Sequence, residues 1–197
     1  MTVSASGGDN TFGYDDRGNL VLAAGPSGAS SYSFDDDNRQ AAATTPAGTA
    51  SFGYDSAGRL ATAVDPVTGV RSGYGYDDAG RVTSVGYGTG KGSRAYGWDA
   101  LGRLTGDTIK NPAGATTASL SYGYDTEDRL TSKTTTGLAG AAANTYDYDQ
   151  AGRLTSWNNG STLTEYGWDG AGNRTRDGPD TAVFNERNQL QSEPPRV

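Results

Sequence analysis

Aromatic and polar residues alternate over short stretches of this chain, and no stretch has the three-to-four-residue spacing of an amphipathic helix. The stretch YGWDALGRL, residues 96–104, is typical. Tyr96 and Trp98 are two residues apart, so on a β-strand their side chains lie on the same face. Asp99 suits the first position of a type I turn, where its carboxylate accepts a backbone N–H. The stretch therefore predicts a β-hairpin.

Close copies of this hairpin pattern recur nine times, beginning near residues 12, 32, 52, 74, 96, 122, 146, 166 and 183. Further turn residues stand between copies, at Gly25-Pro26, Pro46-Ala47-Gly48, Asp65-Pro66, Asn111–Gly114, Asn159-Gly160 and Gly178-Pro179. Turns at both ends of each hairpin predict an all-β fold, a long antiparallel meander of tandem β-hairpins. We expect a lead-in at 1–11, the repeat array at 12–190 and a tail at 191–197.

The position three residues after each turn Asp, or after Asn185 in the last copy, carries only Gly, Asn or Asp. Its occupants are Gly18, Asn38, Gly58, Gly80, Gly102, Asp128, Gly152, Gly172 and Asn188. These residue types enter the left-handed backbone region most readily. A type I turn followed by one left-handed residue closes a three-residue hairpin loop. The substitution pattern therefore indicates a backbone requirement shared by all nine copies.

This loop also predicts which residues face each other across each hairpin. Asp99 lies opposite Arg103, Trp98 opposite Leu104 and Gly97 opposite Thr105 on the predicted register. Cross-strand pairs of opposite charge contribute roughly 0.2–1 kcal/mol. We expect the aromatic and Leu side chains on one face and the Asp–Arg pairs on the other. The predicted structural turn and cross-strand residues are Asp15, Asp55, Arg59, Asp77, Arg81, Asp99, Gly102, Arg103, Asp125, Arg129, Asp149, Arg153 and Asp169.

The composition is unusual for a folded protein, since only 34% of the residues are hydrophobic and 30 of 197 are Gly. Such a balance alone favours disorder, but the periodic aromatic residues favour an ordered sheet. The net charge of −7 argues against nucleic acid and anionic membrane surfaces as partners. No apolar run is long enough to span a bilayer, and the first ten residues lack the regions of a signal peptide.

The residues needed for most catalytic and metal sites are scarce. The chain has no Cys and no His, which excludes disulfides, thiol chemistry and the commonest general base. A Ser–Lys pair would need one of only three lysines, and none stands in a motif that positions it as a base. We therefore predict a non-catalytic protein without a cofactor.

Two stretches and one set of tryptophans suggest binding sites. The glycine-rich stretch GYGTGKGS, residues 86–93, departs from the phosphate-binding pattern because Gly92 follows Lys91, so a hairpin connection is the better interpretation. The acidic stretch DDDN, residues 35–38, has Ca²⁺-ligand types, but the turn itself explains Asp35 and Asn38. Trp98, Trp157 and Trp168 are candidate platforms for stacking on sugars, against the simpler interpretation that aromatic rows stack on each other. Trp157 lies outside the repeat pattern and is the least explained by that simpler interpretation.

The motif Tyr-x-Tyr-Asp-x-x-Gly-Arg-Leu at this spacing resembles the YD repeat of the RHS family, over nearly the whole chain from Phe12 to Leu190. That family includes bacterial RHS toxins, wall-associated proteins, shell components of insecticidal toxin complexes and teneurins. The resemblance implies strands that spiral into a hollow β-shell, which in the toxin members encloses a toxic polypeptide. It also implies secretion or surface display, and YD repeats have been linked to carbohydrate binding. Family shells contain far more repeats than nine, so this chain resembles a segment of one.

The resulting hypothesis is a non-catalytic structural segment of a β-shell wall or of a self-assembling fibre. Its expected partners are further YD repeats or a second copy, joined through unpaired strand edges, and an enclosed toxin polypeptide. The alternative is a secreted or cell-surface adhesive module that binds carbohydrate or protein. Neither hypothesis includes nucleic acid or membrane insertion.

Overall fold

The computed structural model describes residues 2–5, 8–139 and 142–192, and these residues form twenty β-strands without an assigned helix. In chain order the strands are β1 Thr2–Ala5, β2 Gly8–Tyr14, β3 Leu20–Gly25, β4 Gly28–Phe34, β5 Gln40–Thr45, β6 Gly48–Tyr54, β7 Leu60–Val64, β8 Arg71–Tyr76, β9 Val82–Gly86, β10 Ser93–Trp98, β11 Leu104–Lys110, β12 Thr116–Tyr124, β13 Leu130–Thr136, β14 Ala143–Tyr148, β15 Leu154–Asn158, β16 Leu163–Trp168, β17 Arg174–Asp177, β18 Asp180–Thr181, β19 Val183–Phe184 and β20 Leu190–Ser192. The predicted all-β fold is confirmed.

Neighbouring strands in the chain are also neighbours in the sheet. Consecutive strands pair antiparallel from β1 to β10 and from β12 to β18, and β19 pairs with β20 in a separate two-stranded sheet. The chain divides into two compact units, one of residues 1–96 and 109–115 and one of residues 97–108 and 116–197. Within each unit the strands form the predicted meander of tandem hairpins.

The nine repeated turns share one backbone geometry. The backbone N–H of Asp99 donates to the Arg103 carbonyl at 3.0 Å, and the N–H of Gly102 donates to the Asp99 carbonyl at 3.1 Å. The left-handed position has a positive φ in every copy, between +58° at Asn188 and +88° at Gly172. This is the conformation that the substitution pattern predicts, and only Gly, Asn and Asp enter it at low cost.

The predicted pairing of the glycine between the two aromatic residues is wrong by one residue. In the β12–β13 hairpin Tyr124 pairs with Leu130, but Gly123 pairs with Ser132, so Thr131 has no partner across the hairpin. The same register shift is present in all eight repeat hairpins whose register is known, which are β2–β3, β4–β5, β6–β7, β8–β9, β12–β13, β14–β15, β16–β17 and β19–β20. A β-bulge beside each turn accounts for the extra residue and increases the local twist.

The strands have little buried apolar material. Among the described residues, Ala118 is the only apolar residue classed as buried, at 4% exposure, and most strand residues are half-buried. Several large apolar side chains remain exposed, including Leu101 at 71% and Leu163 at 56%. Strand pairing and contacts between neighbouring hairpins therefore stabilise the repeats more than a packed interior does.

Candidate functional site

Each turn carboxylate is held by hydrogen bonds from its own turn. One oxygen of Asp55 accepts the backbone N–H groups of Ala57 and Arg59, each at 2.9 Å. The other oxygen accepts the Arg59 Nε–H at 2.8 Å. The carboxylate–Nε contact recurs at 2.6–2.8 Å in five further turns, in the pairs Asp35–Arg39, Asp77–Arg81, Asp99–Arg103, Asp125–Arg129 and Asp149–Arg153. In the turns of Asp15 and Asp169, an Asn side chain four residues later replaces Arg.

These hydrogen bonds lower the pKa of the turn carboxyls below the ordinary aspartate value. In Asp55 the backbone N–H of Arg59 is the main cause of the lowered pKa, desolvation opposes it, and the Arg59 side chain adds to it. In Asp15 the main cause of the lowered pKa is the side-chain amide of Asn19. The carboxylates are therefore fixed, charged acceptors of the turn.

Five of the turn arginines also contact the next hairpin. The Arg59 guanidinium lies 4.6 Å from the centre of the Tyr76 ring, and its Nη1–H donates to the Asp77 carbonyl at 2.9 Å. The guanidinium lies over the ring at 4.6, 4.8, 5.0 and 5.6 Å in the pairs Arg39–Tyr54, Arg103–Tyr124, Arg129–Tyr148 and Arg153–Trp168. The prediction that the Asp–Arg pairs lie on the face opposite the aromatic residues is therefore wrong, because the strand pairing between hairpins brings Arg beside the ring.

The aromatic residue in turn donates a hydrogen bond back to the preceding hairpin. Tyr76 Oη–H donates to the Leu60 carbonyl at 2.8 Å. Equivalent hydrogen bonds of 2.8–2.9 Å join the ring to a backbone carbonyl in four other pairs. The Tyr hydroxyl donates in Tyr54–Gln40, Tyr124–Leu104 and Tyr148–Leu130, and the indole Nε1–H donates in Trp168–Leu154. We call this reciprocal arrangement, the Arg of one turn with the second aromatic residue of the next hairpin, the turn junction. It joins two hairpins about twenty residues apart in sequence.

Sequence reasoning missed the turn junctions, although the chain contains a signal for them. Six turns have Arg, and the next hairpin then has Tyr or Trp, in Arg39–Tyr54, Arg59–Tyr76, Arg81–Trp98, Arg103–Tyr124, Arg129–Tyr148 and Arg153–Trp168. Two turns have Asn, and the next hairpin then has Phe, in Asn19–Phe34 and Asn173–Phe184. Phe has no polar hydrogen to donate. The turn position and the second aromatic position of the next hairpin therefore vary together, as expected of residues that interact.

The Asn turns use a different contact between hairpins. The Asn19 side-chain amide donates to Asn38 Oδ1, and the Asn173 amide donates to Asn188 Oδ1 at 3.0 Å. Asn38 and Asn188 are two of the left-handed residues, so their side chains add a contact to their backbone role. The third non-glycine residue there, Asp128, accepts a hydrogen bond from Arg103 Nη1 at 2.7 Å.

Comparison with known proteins agrees with this repeat geometry. A family model described as RHS Repeat matches residues 14–50 and 54–91, two adjacent segments of the array. Residues 14–50 and 54–91 are RHS repeats. No curated protein sequence is significantly similar to it.

Three solved structures of Tc toxin components resemble this chain. They are the TcdB2–TccC3–Cdc42 complex (TM-score 0.60, 15% identity), the Tc holotoxin pore of Photorhabdus luminescens (0.59, 15%) and the TcdB2–TccC3 complex without its hypervariable C-terminal region (0.59, 13%). The similarity covers 93–94% of this chain and 12% of each of those chains. At these identities the similarity shows a shared fold.

The three candidate stacking tryptophans, Trp98, Trp157 and Trp168, lie on three different strands, namely β10, β15 and β16. Trp168 belongs to a turn junction, where its ring lies beside Arg153. Trp157 lies directly opposite Tyr146, and its Nε1–H donates to Asn144 Oδ1 at 2.8 Å. The equivalent position has Ala23, Ala43, Ala63, Val85 and Lys133 in other repeats. Trp157 is thus a cross-strand partner within the aromatic row, although its position carries no aromatic residue in those repeats.

The other candidate stretches have ordinary structural roles in the described residues. Asp35 and Asp37 of the acidic stretch each form an ion pair with Arg39 at 2.8 Å. No group of three or more potential metal-binding His, Cys, Asp or Glu side chains occurs in the described part of the chain. Within the glycine-rich stretch, residues 87–92 form the connection between β9 and β10. Over the same described ranges, no helix is long and apolar enough to cross a membrane.

Proposed function

We propose that this chain is a wall segment of an RHS β-shell, with a structural and non-catalytic role. The observation that carries the proposal is the turn junction, which links hairpin to hairpin with bonds in both directions. Such nearest-neighbour contacts allow a sheet to be extended repeat by repeat, as in other repeat proteins. In these turns the Asp carboxylate accepts a hydrogen bond from the Arg side chain, and the Arg contacts the next hairpin, so both repeated polar residues have a structural role.

The exposed sheet faces support a wall that other protein surfaces cover. Large apolar side chains such as Leu163 remain more than half exposed, and few strand residues are buried. The three similar structures are all Tc toxin components, and this chain spans 12% of their length. By this proposal the covering surfaces are further RHS repeats and an enclosed toxin polypeptide, in a secreted or surface-displayed protein.

Self-association in solution tests the wall proposal. Sedimentation velocity of the 197-residue chain over a range of concentrations is expected to show assembly that increases with concentration, because open strand edges pair with one another. Circular dichroism of the same samples provides the control, since it separates assembly of the folded sheet from aggregation of unfolded chain. A folded chain that stays strictly monomeric at high concentration contradicts the proposal.

A second candidate function is an adhesive module that binds carbohydrate, and the pairing of Trp157 with Tyr146 favours it. Two aromatic rings opposite each other on a half-exposed sheet provide a flat apolar surface of the kind that stacks against sugar rings. A glycan array on the wild-type chain, followed by titration of the Trp157→Ala variant, tests this function. The matched control is Lys133→Ala, at the equivalent cross-strand position of the β12–β13 hairpin. An array without binding, together with Trp fluorescence that polysaccharides leave unchanged, contradicts it.

A further inference from the structure

The first two hairpins, with the turns of Asp15 and Asp35, meet without an arginine, so the contact between them differs from the turn junctions. We call this contact the first junction. The register of β3 with β4, in which Leu22 pairs with Ser31, places Asn19 opposite Phe34. By the same geometry, the Thr62–Gly73 pair places Arg59 opposite Tyr76. Asn19 is too short to cover the neighbouring ring, and its amide is bonded to Asp15 and Asn38.

A groove is present at this first junction. It has a volume of about 450 Å³, and its lining includes Phe34 and the three turn residues Asp15, Asp16 and Arg17, with Asp36 from the next turn. Within the described residues no guanidinium lies over the Phe34 ring. Five arginine junctions of the same chain hold a guanidinium at 4.6–5.6 Å from the equivalent ring.

The charges around the groove favour a cation. Asp15, Asp16 and Asp36 are among the residues that line it, and Arg17 is the one cationic residue among them. Asp35 is already paired with Arg39 at 2.8 Å. Three carboxylates against one guanidinium leave a local charge of −2. The Arg17 Nη1–H donates to the Asp36 carbonyl at 3.0 Å, which fixes that side chain to the next turn.

We propose that this groove binds a guanidinium group supplied from outside the chain, as an arginine residue of a peptide or as free arginine. The guanidinium lies over Phe34 as the Arg59 side chain lies over Tyr76, and the Asp16 and Asp36 carboxylates accept its hydrogen bonds. A planar guanidinium both stacks on an aromatic face and forms forked hydrogen bonds, which an ammonium does not do. The inference rests on the junction geometry and is independent of the wall proposal.

Nuclear magnetic resonance titration of the full chain with N-acetyl-arginine amide tests the inference. We expect shifts confined to residues 15–19 and 32–36, with a dissociation constant in the millimolar range, because exposed cation–π and ion-pair contacts are weak. The citrulline analogue, which has the same shape without the charge, is expected to bind at least tenfold more weakly. Equal binding of the two analogues overturns the proposal. Free arginine distinguishes the sources, since a site for peptide arginine binds the blocked residue more tightly.

Two pairs of variants locate the site. Asn19→Arg supplies the guanidinium from within the chain and is expected to weaken binding of N-acetyl-arginine amide at least tenfold. Asn19→Gln is expected to leave the dissociation constant within about twofold of the wild-type value. Asp36→Asn is expected to weaken binding severalfold, whereas Asp78→Asn, at the same turn position two hairpins later, has no effect. Circular dichroism verifies that each variant is folded. Wild-type binding by a folded Asn19→Arg variant contradicts the proposal.

Discussion

The turn junction predicts a defined loss of stability when a single hydroxyl group is removed. Tyr148 Oη–H donates to the Leu130 carbonyl at 2.9 Å, while the Arg129 guanidinium lies 5.0 Å from the ring. Tyr148→Phe deletes the hydrogen bond and keeps the ring, so the cation–ring contact remains. The Tyr148 side chain is half-buried, and this desolvation raises the pKa of its hydroxyl.

The expected magnitude follows from the loss of one hydrogen bond. A net contribution of about 1 kcal/mol, within a range of roughly 0.5–1.5 kcal/mol, is typical of such a bond in a folded protein. For a domain of this size, 1 kcal/mol corresponds to a decrease in Tm of roughly 2–4 °C. The matched control is Tyr14→Phe, because Tyr14 has the same position in its repeat, is 54% exposed and has no hydrogen bond from its hydroxyl to a described residue.

Urea unfolding followed by circular dichroism measures both variants on the same scale, and Trp fluorescence provides a second probe near Tyr148. We expect Tyr148→Phe to lower the free energy of unfolding by about 1 kcal/mol and Tyr14→Phe to change it by less than about 0.5 kcal/mol. Equal losses in the two variants, or no loss in Tyr148→Phe, refute the reasoning that the hydroxyl joins neighbouring hairpins.

Two further predictions concern the turns. Gly152→Ala is expected to cost about 1–2 kcal/mol of unfolding free energy, because φ is +79° there although a methyl group has room. Gly170→Ala, in a turn position without positive φ and with open space, is the control and is expected to be neutral on chemical denaturation. Since the turn carboxyls have lowered pKa values in the folded state, they stabilise it above the ordinary aspartate pKa of 3.8, and this stabilisation is lost as the pH falls below that value. Measurements of Tm over a range of acid pH are expected to show that loss, with a shallower slope of Tm against pH in Asp149→Asn. An unchanged slope in that variant contradicts a stabilising role for the turn carboxylate.

The turns could be predicted from single repeats because their chemistry is local. Asp99 bonds to backbone groups within four residues of itself, and Gly102 adopts a φ that few residue types tolerate. Both constraints act on consecutive residues, so they recur in the sequence at fixed spacing. The aromatic–leucine pairing of Tyr124 with Leu130 follows from the same short loop.

The errors arose where a second hairpin or a bulge intervenes. The sequence of one hairpin does not show that Gly123 pairs with Ser132 rather than Thr131, because the bulge depends on the twist of paired strands. It also does not show that Arg59 reaches a ring seventeen residues away. Only the pairing between hairpins brings those two groups together.

The amino-acid sequence by itself determined the all-β hairpin array and the nine left-handed turn residues, since both follow from backbone requirements within about ten residues. The tertiary structure decided the face on which each arginine lies, the partners of Asn38 and Asn188, and the groove beside Phe34. These features depend on which side chains from adjacent hairpins meet across a strand pair, and that meeting is fixed by register and twist rather than by local preference.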